Sequence, residues 1–153
     1  MKKLIYICLL LPFVAFQSCK KAASPGDNYD FSNSLPPYAA LGSLATKTIK
    51  NPTKDTTVAV AVVVRTAMQQ AVTVTYSVSG AVTQTNQTVT IAKNTVSVNA
   101  SVPFTKNILV APATSITATV TLTKAVAADG TVLALGANNV ASAQKVDIKV
   151  VPQ

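Results

Sequence analysis

Residues 72–79 read VTVTYSVS and residues 116–123 read ITATVTLT. In the first stretch Val72, Val74, Tyr76 and Val78 take every second position, with Thr73, Thr75, Ser77 and Ser79 between them. In the second, Ile116, Ala118, Val120 and Leu122 alternate with Thr117, Thr119, Thr121 and Thr123. A period of two puts successive side chains on opposite faces of an extended chain. One face of each segment is apolar and the other hydroxylated, as expected of antiparallel strands with one face in a core and one in water. Val and Thr are β-branched and suit a pleated surface.

The same period extends outward in both directions. Val58, Val60, Val62 and Val64 share one face. So do Val96, Val98, Ala100, Val102 and Phe104, and so do Val146, Ile148 and Val150. Turn-forming pairs fall between these runs at Asn51-Pro52, Ser79-Gly80, Lys93-Asn94, Ala111-Pro112, Asp129-Gly130 and Asn138-Asn139. Strands are expected near 41–50, 56–65, 71–79, 86–91, 95–104, 115–125 and 143–151, with Val132–Leu135 as a short eighth. This spacing predicts an all-β, antiparallel β-sandwich of about seven to eight strands.

The 153 residues suffice for one domain. The chain has no Trp and no His, and all five of its acidic residues are Asp. The net charge of +8 includes Lys2 and Lys3. The remaining lysines are dispersed rather than clustered with aromatics, so nucleic acid is not an expected partner. Catalysis needs a nucleophile with a base, an acid–base pair or a metal. With no His, no Glu, isolated glycines and no local motif for a Ser/Lys dyad, no enzyme activity and no cofactor are expected, and no catalytic or metal-ligating residue is assigned.

The N-terminus reads MKKLIYICLLLPFVAFQSC. Lys2-Lys3 precede an apolar run, Leu4 to Phe16, that is too short to span a bilayer but fits a signal peptide. Gln17-Ser18-Cys19 then resembles a lipobox of the looser, Bacteroidota type, with Phe16 in place of the preferred Leu. The resemblance implies cleavage after residue 18 and lipidation of Cys19. Cys8 would leave with the signal peptide. Two or three acyl chains, as such lipoproteins carry, hold a protein stably where one does not. The expected organisation is a signal peptide at 1–18, the lipidated Cys and a flexible tether at 19–37, and the sandwich at 38–153. The tether is rich in Ser, Asn, Asp, Gly and Pro, with a reach of about 20–25 Å. Within it, Tyr29 and Phe31 offer a short edge strand as an alternative. Lys20-Lys21 stand where surface-exported lipoproteins of this type carry an acidic run. The periplasmic leaflet of the outer membrane is therefore favoured over the cell surface.

The segments VTVTYSVSG (72–80), TVTIAKNTVSVNASVPF (88–104), ITATVTLTKAVAADGTVLALGANN (116–139) and VDIKV (146–150) resemble Calx-beta and related immunoglobulin-like domains of Bacteroidota lipoproteins. The resemblance covers about Tyr38 to Val151 and implies an immunoglobulin-like sandwich. It also implies Ca²⁺ binding, which the composition opposes. Ca²⁺ takes six to eight oxygens, and the domain holds only Asp55, Asp129 and Asp147. Asp129 is expected to shape an Asp-Gly turn, and Asp147 to make cross-strand contacts.

The function expected is that of a non-enzymatic envelope lipoprotein whose immunoglobulin-like domain is structural, adhesive or protein-binding. Its partners are the membrane, through the anchor, and an unidentified protein or glycan. A glycan-binding accessory of a polysaccharide uptake system is the rival: the T-x-T-x-T row at 117–123 could contact a sugar, although a solvated strand face explains it as well, and Tyr29 or Tyr38 could stack on one. Asp55-Thr56-Thr57 resembles the O-glycosylation triplet of Bacteroidota exported proteins, which makes Thr56 a candidate acceptor.

Overall fold

The computed structural model describes residues 36–137 and 140–153. Among the described residues nine strands form: β1 (Tyr38–Leu41), β2 (Lys47–Lys50), β3 (Thr56–Val64), β4 (Val72–Gly80), β5 (Gln84–Ile91), β6 (Ser97–Phe104), β7 (Ile116–Ala127), β8 (Ala134–Leu135) and β9 (Lys145–Val151). A short 3-10 turn, Ala141–Gln144, leads into β9. One sheet has the order β6-β3-β1-β8 and the other β2-β9-β7-β4-β5. Each outer segment of the predicted alternation becomes a strand because its apolar face can be buried against the opposite sheet.

The interior is that apolar face. Val62, Val74, Val102, Val120, Ile148 and Val150 are fully enclosed, and among the described residues no polar or charged residue is buried. Tyr76 lies inward as its register requires. Its hydroxyl donates across the interior to the Ser101 carbonyl oxygen of β6 at 3.2 Å, which satisfies the polar end of an otherwise apolar side chain.

The structure corrects the sequence reading in four places. The strand expected over 41–50 is two strands in different sheets, β1 and β2. The chain leaves the first sheet at Gly42, where an added Cβ would meet the Ala61 methyl at 3.0 Å. Second, the pairing is not uniformly antiparallel: β1 pairs with β8, and β2 with β9, in parallel. Third, Val96 is not a core residue. The β3–β6 ladder stops at Val63↔Ser97, so Val96 sits at the rim, 49% exposed. Fourth, β7 runs on past residue 125. A bulge at Thr123, where Thr75 opposes Lys124 and Tyr76 opposes Leu122, resets the alternation. Ala125 and Ala127 thereby turn inward.

A second irregularity lies on the neighbouring edge. Between Tyr76↔Gln87 and Val78↔Gln84 strand β5 carries an extra residue, and Asn86 takes the left-handed conformation (φ 53°). Asn tolerates this better than most residues. Gly80 closes β4 at φ 95°, and a Cβ there would lie 2.4 Å from the Thr117 carbonyl oxygen. Only glycine fits that approach. Asn138-Asn139, expected as a turn, lie outside the described residues.

Candidate functional site

Strand β3 differs from the central strands in what it turns outward. Between its buried valines stand Ala59 and Ala61 instead of Thr or Ser. On one side β3 pairs with β6 along nearly its whole length. On the other, β1 covers only Val62–Val64. A last bond from the Gly42 amide to the Ala61 carbonyl oxygen, 2.9 Å, ends that pairing. The chain then crosses to the other sheet as β2, which is itself an edge strand.

Backbone direction along β3 follows from the bonds at its upper end. The Arg65 amide donates to Tyr38 on the β1 side, and the Val64 amide donates to Val96 on the β6 side. Peptide groups alternate sides along a strand, so those of Thr57 and Ala59 face the uncovered side. The Lys47 ammonium reaches across and donates to the Ala59 carbonyl oxygen at 2.9 Å.

Two adjoining cavities run along this uncovered edge. The first, about 530 Å³, has Val60, Val146 and Ile148 at its base and Lys47 at its wall. The second, about 450 Å³, is walled by Lys47, Lys50, Lys54, Thr56 and Thr57. They share Lys47 and Ala59. Three lysines and no Asp or Glu side chain line the two cavities, and Gln153, the last residue of the sequence, also lines the second. The 51–54 loop is held in place from behind. Asn51 donates to the Leu109 carbonyl oxygen (3.0 Å) and accepts from its amide (3.1 Å). The Asn107 amide donates to the Pro52 carbonyl oxygen at 2.7 Å. The adjacent carboxylate of Asp55 turns away and accepts from the Lys106 amide at 2.9 Å.

The residues singled out from the sequence are scattered. Cys19 and Tyr29 lie outside the described residues. Thr56 is the exposed first residue of β3 and stands at the mouth of the second cavity. Tyr38 is half-buried at the start of β1. Asp129 does shape its turn: its carboxylate accepts from the Thr131 amide at 2.8 Å, with Gly130 at φ 89°. Hydrogen bonding to the Gln70 side chain, and then to Thr131, lowers its pKa below the ordinary 3.8. Asp147 opposes Thr119 across β9–β7 and accepts from its hydroxyl at 2.6 Å.

The threonine row forms part of a wider hydroxylated face. Thr119 opposes Ser79 and Thr121 opposes Ser77. On the far side of β4, Thr73 opposes Thr90 and Thr75 opposes Thr88. Two members are engaged internally, Thr119 with Asp147 and Thr123 with the Thr75 carbonyl oxygen.

The lysine-walled groove was not foreseen. Its two walls are separated by about a hundred residues in the chain, and no local motif links Lys47 to Val146. The clue available in sequence is small: Ala replaces Thr or Ser at the outward positions of one strand.

Calcium does not fit the donor set. Among the described residues no three His, Cys, Asp or Glu side chains cluster. Asp55, Asp129 and Asp147 are each engaged separately, in a loop, a turn and a strand.

No protein-family model matches the chain, and no curated protein matches it. Among solved structures the fold is similar to the crystal structure of CBD12 from CALX1.2, a Calx-beta domain structure, with a TM-score of 0.51 at 9% sequence identity. The likeness covers 75% of this chain and 44% of that one. At that identity it concerns the fold, and the architecture of this chain is that of a Calx-beta-like β-sandwich.

Proposed function

We propose that this protein is a non-enzymatic envelope lipoprotein, anchored through acyl groups on Cys19, whose sandwich serves as a structural, adhesive or protein-interaction module. One observation carries the anchor: a short apolar run behind Lys2-Lys3 ends in Gln17-Ser18-Cys19. The outer membrane, on its periplasmic leaflet, is the location this reading favours. The interaction role draws on the Calx-beta-like fold and on the open, lysine-walled edge of β3.

The anchor is tested by metabolic labelling with radioactive palmitate in a bacterial host that processes lipoproteins. Wild-type protein takes up label and sediments with membranes. Cys19→Ser loses the label and becomes soluble. Membrane retention of the unlabelled variant would overturn the assignment.

A glycan-binding reading draws on the hydroxyl pairs across β7, β4 and β5. A glycan array probed with the full chain tests it. Binding lost in Thr75→Val and Thr121→Val would support this reading over protein interaction.

A further inference from the structure

We infer that the uncovered lower edge of β3 accepts an extended acidic peptide, which adds to the four-stranded sheet beside Thr57–Ala59. The inference rests on the protein-interaction reading above and is independent of the lipid anchor.

Three observations converge on it. First, β1 stops pairing at Val62, and the peptide groups of Thr57 and Ala59 face a groove instead of a strand. An exposed strand edge binds extended peptides through main-chain hydrogen bonds, with pockets for alternate side chains supplying selectivity. Second, the groove has such pockets. One is lined by the exposed small side chains of Ala45, Ala59 and Ala61, beneath which Val60, Val146 and Ile148 are already buried in the core. Third, the walls are cationic. Lys47, Lys50 and Lys54 line the groove with no Asp or Glu side chain, and they outnumber Gln153, the last residue of the sequence, which lines the second cavity. A peptide alternating apolar and acidic residues would place one set over the apolar base and the other against the lysines.

Lys47 gives the selection a mechanism. Its ammonium occupies the Ala59 carbonyl oxygen, the acceptor that an incoming strand needs. Lysines on sheet edges ordinarily deter pairing with other chains. A neutral strand would have to displace this ammonium with no charge to compensate it. A carboxylate on the incoming strand draws the ammonium to itself and frees the carbonyl for a peptide N–H. Lys47 therefore acts as a latch that acidic partners open.

The full chain, purified in detergent micelles, is titrated into a fluorescein-labelled (Val-Asp)₄ peptide and followed by anisotropy. Saturable binding is expected, weakened at least tenfold by 0.5 M NaCl, with no binding of (Val-Lys)₄. The same peptide methylated at every backbone nitrogen should not bind. Replacing all three lysines by glutamine should weaken binding tenfold or more. Ala59→Pro removes a groove-facing N–H while leaving the β6 ladder intact, and should do the same with an unchanged far-ultraviolet spectrum. Lys47→Met should reduce the preference for acid, with Lys50 and Lys54 still in place, and let (Val-Thr)₄ bind at least tenfold better than it binds wild type.

Absence of binding by (Val-Asp)₄, equal binding of the acidic and basic peptides, or indifference to both the triple substitution and backbone methylation would overturn the proposal and leave the lysines as edge guards alone. Concentration-dependent dimerisation of wild type that Ala59→Pro abolishes would overturn it in favour of a second copy of this chain. Palmitate labelling of Cys19 is unaffected by any of these outcomes, so failure here and failure of the anchor are separately visible.

Discussion

The paired centre of the five-stranded sheet and the lower half of β3 are built from the same alternating pattern and end in opposite conditions. Strand β4 is flanked on both sides, by β7 and β5, along most of its length. Its valines are enclosed and its threonines face water. Strand β3 has equally enclosed valines, but beside Val58–Ala61 one neighbour is missing and the outward residues are alanines. Burial of the side chains is complete in both places, whereas the backbone is sealed only in the first. Side-chain alternation therefore decides which residues enter the core. It does not decide which strand edges are closed.

The comparison can be broken hardest at the centre. Val74 is fully buried, so Val74→Asp places an unpaired charge in the core and should cost at least about 4 kcal/mol. Thr75→Asp, on the outer face, should stay within about 1 kcal/mol. Urea denaturation followed by circular dichroism separates the two, and equal effects would mean the inward register is wrong.

Next in size is the turn that closes the centre. Gly80→Ala should destabilise by about 2–3 kcal/mol, because a positive φ and a backbone carbonyl 2.4 Å away act together. Gly130→Ala, also at positive φ but with nothing within 4 Å of the new Cβ, should cost about 1 kcal/mol. The same denaturation assay ranks them.

Smallest is the tie between the sheets. Tyr76→Phe removes the hydroxyl that donates to Ser101 and leaves a partly buried carbonyl oxygen short of one donor. About 1 kcal/mol is expected, read as a lower urea midpoint with an unchanged slope.

The legible part of this molecule was its inward face. Runs such as Val58–Val64 and Val72–Val78 carry a period-two signal strong enough to place a strand and its orientation, and Asp129-Gly130 and Asp147 do what their local chemistry indicated. What the chain did not announce depends on distant neighbours. The break at Gly42–Thr46 is hidden because Leu44 and Ala45 keep the segment apolar. The bulge at Thr123 is invisible in T-x-T-x-T, since it arises from how β7 meets β4. Parallel pairing of β2 with β9 joins segments about a hundred residues apart. The lysine-walled groove is a consequence of those same events. It exists because β1 ends early and β2 joins the other sheet, neither of which has a local signature.

Amide hydrogen exchange along β3, resolved by nuclear magnetic resonance, tests the contrast between sealed and open backbone most directly. The amides of Val58 and Val60, which face β6, should be protected nearly as well as those of Val74 and Val120. The amides of Thr57 and Ala59, facing the groove, should exchange at least a hundredfold faster. Protection of Ala59 equal to that of Val60 would mean that a strand already covers this edge, and the account of an open acceptor site would be contradicted.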